Sequence, residues 1–446
     1  MSAFQSASGD EGLVRAIGVS GLAATTFNIM IGGGIFVLPA VAAAALGTRA
    51  PVAYVICALA ISLVLICFAE AGSRVSLTGG PYAYVATAFG PFAGFLSGVL
   101  LWVMAVFAVS AVSSALAGSA AVLWPVLAQP FPRAAFLVIV IGAVTVINIR
   151  GVRGGARLVE LLAVVKLLPL FLFVIAGAVV ARAVESPSHA ASGGDMGGTV
   201  LVLIFAFAGS ESALVPSGEV RDPARTVPRA LALAMVTVML LYIAVQVVAQ
   251  RVLGASALAA AKDAPLAAAA ARIAGPLGAS VIAAAAVLSM FGNLSGMTLA
   301  TPRALYALGR DGFLPVVSPV LARIHTAYRT PYVAILVQSV IVCALAVSSE
   351  FVALAVLANV SVLTLYLVCC AATIALRRRN VQQAGAPFRM PGAAFVPYVA
   401  MVVLAWILWH ATPRELLVVL TLLVAAALMF VVTAPARRAA RQALVP

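Results

Sequence analysis

The chain is a succession of apolar runs, each about as long as a lipid bilayer is thick, joined by short polar turns. A helix needs roughly 20 predominantly apolar residues to cross about 30 Å of hydrocarbon. Of the 446 residues 64% are hydrophobic and 9% charged, against roughly 45–50% apolar and about 25% charged in an ordinary soluble domain. No water-soluble core covers that much apolar surface. A soluble enzyme, a nucleic-acid binder and a secreted disulfide scaffold are therefore excluded, and an all-α polytopic membrane protein of about twelve transmembrane helices is expected.

The runs place helices over 13–45, 51–72, 82–122, 134–149, 157–180 and 199–216, and again over 228–248, 278–308, 331–347, 351–376, 393–410 and 416–433. Residues 1–12 are polar and acidic, without the basic start and small-residue cleavage site of a signal peptide. With both termini inside, nineteen of the 27 Lys and Arg residues face the cytoplasm, seven face outward and Lys166 is left within a span. The positive-inside rule selects that orientation, so the net charge of +14 is mainly a topology signal. Residues 181–198 and 254–277 are the longest outside segments, and the alanine-rich second one is expected to form a short surface helix. Cys57, Cys67, Cys343, Cys369 and Cys370 lie inside apolar runs, with no disulfide or metal spacing, and no metal is expected.

The first span contains Asn28-Ile29-Met30-Ile31-Gly32-Gly33-Gly34-Ile35-Phe36. Each glycine costs a helix about 1 kcal/mol relative to alanine, and each removes a side chain that would keep a ligand off the backbone. Unwound backbone in a membrane is tolerated where it lines a cavity; close helix packing through small residues is the stronger explanation of a lone Gly-Gly-Gly. The sixth span has a second glycine-centred break, Phe205-Ala206-Phe207-Ala208-Gly209-Ser210-Glu211, with a carboxylate deep in an apolar run. Five spans separate the breaks, as in two five-helix units repeated with inverted topology around a shared site.

These residues resemble the amino acid, polyamine and organocation transporters. Besides the two breaks, the likeness includes Thr78-Gly79-Gly80-Pro81-Tyr82, Gly218-Glu219-Val220-Arg221-Asp222-Pro223 and Arg310-Asp311-Gly312-Phe313-Leu314-Pro315, in the family's order. The resemblance implies a LeuT-type fold: a first inverted repeat over 13–182, a second over 199–376, two further helices in 393–433 and cytoplasmic tails at 1–12 and 434–446. It implies a secondary active transporter in a bacterial inner membrane, moving a small-molecule amino acid by alternating access, with the lipid bilayer as its other partner and no nucleic acid. Backbone amides of Gly32, Gly33 and Gly34 would hold the substrate carboxylate. Carbonyls at Met30, Phe205 and Ala208 would hold its ammonium group, with Gly209 and Ser210 beside them. Met297, Val109 and Ser110 would line a mainly apolar side-chain pocket suited to small or medium neutral amino acids. Phe205 is either a gate over the substrate or a core or lipid-facing phenylalanine.

Lys166 lies about nine residues beyond Arg157, roughly 13 Å deep at 1.5 Å per residue. A cation there costs roughly 2.5–3.5 kcal/mol, and that depth exceeds the reach of a snorkelling stem. It is expected to face the interior and meet a partner. The resemblance implies that its ammonium stands where sodium-coupled relatives bind sodium, bonding carbonyls near Phe27 to Met30 and the side chain of Asn293. The coupling ion would then be the proton, with sodium and other cofactors not expected; a fixed structural cation is the other reading. Glu211 either relays protons or orients the break by accepting from freed amides. Glu70 and Glu160, near Arg74 and Arg157, are either inner-gate salt bridges or interfacial charges. Within transport, exchange of one amino acid or amine for another stands beside symport. An enzyme would need a nucleophile with a base, a metal cluster or a phosphate loop. His189, His325 and His410 show no ligand spacing, and the Gly-Gly-Gly lacks the Lys-Ser/Thr of a P-loop. A subunit that binds an amino acid without moving it is the remaining class.

Overall fold

A computed structural model describes residues 17–75, 80–150, 156–180, 194–214, 220–310, 318–383, 386–390 and 392–435. Thr78, Gly79, Gly218, Glu219 and 311–315 of the motifs, the side chain of Glu160, and the tails 1–16 and 436–446 lie outside the described residues. The protein is an all-α polytopic membrane protein. Among the described residues no strand forms, only an isolated parallel bridge between Ile17 and Val220.

The chain runs through α1 (Val19–Met30), α2 (Gly34–Leu46), α3 (Ala50–Arg74), α4 (Pro81–Phe89), α5 (Pro91–Leu123), α6 (Pro130–Arg150) and α7 (Ala156–Val180). It continues through α8 (Met196–Phe207), α9 (Ser210–Ala213), α10 (Pro223–Leu253), α11 (Ala255–Ala260), α12 (Pro265–Ala300) and α13 (Pro302–Arg310). The remainder is α14 (Ser318–Leu321), α15 (Tyr332–Ser348), α16 (Phe351–Arg378), α17 (Val396–Trp409) and α18 (Pro413–Val432). Proline opens many of these helices, where its missing N–H has no intrahelical partner to lose. Thr412 and Glu415 cap α18 reciprocally.

Among the described residues, seven helical stretches are long and apolar enough to cross a membrane unaided, including α2 with α3 and α12 with the first turn of α13. At twelve residues each, α1 and α8 rise only about 18 Å and cannot span by themselves. Both stop at the glycine-centred breaks, and α2 and α9 resume beyond them.

Two expectations are corrected. The stretch 82–122 is two helices, because Gly90 at φ +91° turns the chain between α4 and α5. The span expected from 278 starts just past a bend in α12 at Ala274 and Gly275, whose backbone is non-helical, and α13 takes over from α12 at Pro302. The alanine-rich segment before that bend forms short helices, as expected, but they are packed rather than laid on the surface: α11 lies on α2, and Leu258, Leu266 and Ala269 are buried. Alanine lets those helices lie close to their neighbours.

The core is centred on α5, which packs against α4, α12, α15 and α16. Around it α2 lies against α8, and α3 and α1 against α10. Large apolar side chains such as Ile139, Leu172, Ile175, Leu240, Leu420 and Leu428 point outward, as a surface solvated by hydrocarbon requires.

At the Arg74 end of the bundle, α3 is tied to α16. Glu70 is 1% exposed and receives Arg74 at 2.9 Å and Arg377 at 2.7 Å. The segment after α16 is strapped to the same corner: Gln383 N donates to Arg74 O, Arg74 donates to Val381 O and Phe388 N donates to Ser73 Oγ. The Glu70–Arg74 contact anticipated from their spacing is present, and its second partner, Arg377, lies 307 positions away in the chain. Removing one partner of a buried ion pair costs roughly 3–5 kcal/mol, because the other charge is left stranded. Glu70→Ala is expected to lower the unfolding free energy by about that much, measured by denaturant unfolding of the purified protein in detergent. Arg377→Ala, which leaves Arg74 on the carboxylate, should cost less.

Candidate functional site

The two breaks lie side by side. A Cβ on Gly34 would stand 3.1 Å from the Ala206 Cα, and one on Gly209 would stand 2.8 Å from Ile29 Cγ2. Gly209 also has φ +112°, a conformation open to glycine. A Cβ on Gly32 would meet the Asn293 amide at 3.1 Å, whereas one on Gly33 would make only ordinary contacts at 3.6 Å. Close packing therefore accounts for Gly34 and Gly209, and for Gly32 in part, but not for Gly33.

At the first break, Ile31 ends α1 by donating to Phe27 O, and Gly32 N turns back to Met30 O at 2.9 Å. Among the described residues, the N–H groups of Gly33 and Gly34 at the start of α2 have no acceptor. Free amides at the positive end of a helix are suited to an anion.

The carbonyls on the other side of this break are all paired. Asn28 O accepts from Lys166 Nζ at 3.3 Å, Ile29 O from Asn293 Nδ2 at 3.1 Å, and Ile31 O from Ser289 Oγ at 3.2 Å. Met30 O accepts from Tyr242 as well as from Gly32 N, with the phenol at 3.0 Å. Both of its lone pairs are thus used in this conformation.

Lys166 is 2% exposed and reaches α1 from α7. Its shortest contact is to the Asn28 side-chain oxygen, at 2.6 Å. The expected carbonyl contact is present, at Asn28. Asn293 joins the cluster through Ile29 O, and no Lys166–Asn293 hydrogen bond forms among the described residues.

At the second break, Gly209 N–H would donate to Phe205 O in an unbroken helix. It is turned instead to both carboxylate oxygens of Glu211, at 3.0 Å each, which leaves the Phe205 carbonyl released. Tyr366 on α16 donates to Glu211 Oε2 at 2.6 Å. This is the geometry of a side chain that orients the break. Ser210 is buried beside it.

Between the breaks lies a cavity of about 40 Å³ open to the centre of a water-sized sphere, room for roughly three waters at about 10–15 Å³ each. Met30, Gly32, Gly33, Gly34, Phe205, Ala208, Gly209, Glu211, Asn293 and Met297 line it. Phe205 packs edge-to-face on Phe351 at 5.3 Å. The α5 face is corrected by one helical step: Met104, Ala108 and Val112 line the cavity. Val109 packs in a separate cluster with Leu294 and Met297, and Ser110 Oγ bonds back to Val106 O. Asn359 on α16 also lines the cavity.

A model of the amino acid permease family matches residues 17–441. The chain belongs to that family. This permease is 25% identical to the branched-chain amino acid permease BcaP of Bacillus subtilis, over 88% of its own length and 87% of the relative's. It is 26% identical to the serine/threonine exchanger SteT of the same organism, over 88% and 90% of the two chains. To the methylthioribose transporter of that organism it is 26% identical, over 89% and 88%. The permease is an integral membrane transporter rather than an enzyme.

Asn28, Tyr242, Ser289, Asn359 and Tyr366 were not singled out from sequence. Polar side chains in the middle of apolar runs were the available signal, strongest for Asn28 beside the glycines and Asn359 within α16.

The glycine geometry separates the permease's packing from its open backbone. Gly209→Ala is expected to lower stability by about 1–3 kcal/mol through backbone strain, with Gly34→Ala also destabilising. Gly33→Ala should leave the melting temperature near that of the parent. Thermal unfolding in detergent measures all three.

Proposed function

We propose that this permease is a proton-coupled symporter of small or medium neutral amino acids, working by alternating access in a bacterial inner membrane with both termini cytoplasmic. The observation that carries the coupling is the buried Lys166 ammonium, held 2.6 Å from the Asn28 side chain in the last turn before the first break. The chain's own cation joins α7 to α1 beside the carbonyls that a coupling ion would need. Desolvation makes that charge costly, so loss and recovery of its proton can be linked to opening and closing of the break. No sodium or other cofactor is required.

In this reading the substrate carboxylate lies on the free amides of Gly33 and Gly34, while Gly32 N closes the turn onto Met30 O. Its ammonium group takes the carbonyls of Phe205 and Ala208, because Met30 O is engaged by Tyr242 and Gly32. Met104, Val112 and Met297 suit an apolar side chain, and Phe205 closes over it. Among the described residues, Glu211 is the only carboxylate that lines the cavity. Glu211 is engaged by Gly209 and Tyr366, which disfavours a cationic side chain. Exchange is the second reading, supported by the likeness to a serine/threonine exchanger.

Reconstitution into lipid vesicles tests this. Uptake of neutral amino acids into vesicles holding none, driven by an inside-alkaline pH step and indifferent to sodium, is expected. Dependence on a sodium gradient without response to pH would overturn the coupling, and uptake only into preloaded vesicles would favour exchange. Lys166→Met should lose at least tenfold of the pH-driven uptake while retaining substrate binding by thermal shift. Gly33→Ala should fold and bind at least tenfold more weakly, since its methyl group blocks the amides.

A further inference from the structure

Asn359 is fully buried in α16 and lines the cavity between the breaks. Its amide nitrogen donates to two α8 carbonyls, Leu201 O at 2.7 Å and Val202 O at 3.1 Å. Both hydrogens of the amide are thereby used. Turning the amide over would set its oxygen against two carbonyl oxygens, so the orientation is fixed by its neighbours. Its Oδ1 is left buried with no hydrogen-bond partner. Among the described residues, no other cavity-lining side chain has a buried polar atom in that condition.

An unpaired buried acceptor is destabilising, and a leucine of similar size would avoid that cost. The acceptor cannot receive a carboxylate, which has no proton to give. On the reading of the site given above, the carboxylate lies on Gly33 and Gly34 and the ammonium on the Phe205 and Ala208 carbonyls. Asn293, the other amide on the wall, lies against Gly32 at the carboxylate end; elsewhere the wall is apolar, so Asn359 Oδ1 is the acceptor left to the substrate side chain. The structure assigns Asn359 Oδ1 as a specificity-determining acceptor for a side-chain hydroxyl, making β-hydroxy amino acids the preferred substrates within the neutral class. In the small cavity Oδ1 is covered by its neighbours, and the hydroxyl reaches it as the ligand widens the cavity, with the amide nitrogen still held on Leu201 O and Val202 O. This inference rests on the amino acid reading of the site.

Threonine and valine decide it, being nearly equal in shape and differing by a hydroxyl in place of a methyl group. Serine and alanine form a second pair. In competition uptake by the unmodified protein, threonine is expected to bind about tenfold or more tightly than valine, and serine than alanine. Asn359→Leu should collapse the threonine-to-valine ratio toward one while valine is still transported. Equal affinities for threonine and valine in the unmodified protein would overturn the inference, whether or not the variant folds, and leave the amino acid reading standing. So would a uniform loss of affinity for both ligands in Asn359→Leu with the ratio unchanged, which would place the ammonium at Oδ1. Failure of every amino acid to bind or be taken up would overturn both.

Discussion

A helix that stops inside a membrane releases amides and carbonyls where water cannot pair them, and the rest of this structure is arranged around that constraint. Two helices stop side by side here. The first break is gripped from three directions: Lys166 from α7, Tyr242 from α10, and Ser289 with Asn293 from α12. The second is gripped by its own Glu211, which Tyr366 holds in turn from α16. Each partner satisfies a carbonyl or an amide that unwinding freed. The exceptions, the amides of Gly33 and Gly34 and the carbonyl of Phe205, face the same cavity.

The two breaks are secured by different chemistry. At the first, carbonyls predominate and the partners are donors, one of them a buried cation. At the second, a freed amide is met by a carboxylate. Lys166 and Glu211 thus have opposite signs because they answer opposite ends of broken helices. Neither charge is on the lipid-facing surface, in keeping with the cost of an ionised group in hydrocarbon. The Glu70–Arg74–Arg377 cluster has a different task, since it joins α3 to α16 and to the chain that follows, away from the cavity.

The broad architecture was legible because the bilayer sets the length of apolar runs and makes glycine-centred interruptions conspicuous. Lys166 and Glu211 were legible for the same reason: a charge deep in such a run has few explanations. What sequence did not reveal was pairing between distant positions. Arg377 reads as one basic residue in an Arg-Arg-Arg end, yet it reaches Glu70 across 307 positions. Tyr366 and Tyr242 read as ordinary aromatic residues in apolar helices until their hydroxyls are seen on Glu211 and Met30. The one-step error on α5, Val109 and Ser110 for Ala108 and Val112, has a simple cause. A helix turns about 100° per residue, so a position accurate to one residue still faces the wrong way. The bend of α12 falls at Ala274-Gly275, where Gly275-Pro276-Leu277-Gly278 interrupts the alanine run, and the expected start of that span at 278 lies just beyond it.

The division of labour between backbone and side chains follows from the breaks. Peptide groups suit the carboxylate and ammonium that every α-amino acid carries, since neither contact depends on the side chain of the substrate. Discrimination among substrates must then fall on the few side chains lining the remainder, where Met104, Val112 and Met297 offer shape and little polarity. Methionine is unbranched and adapts to its neighbours, so apolar contacts of this kind separate ligands differing by one methylene by only about 1–3 kcal/mol. A polar wall atom acts more sharply, because a ligand that leaves it unpaired forfeits a hydrogen bond in a place without water. Asn359 has that leverage because α8 holds its nitrogen: an amide free to rotate would accept or donate as the ligand required, whereas one with both hydrogens committed presents a single chemistry to whatever enters.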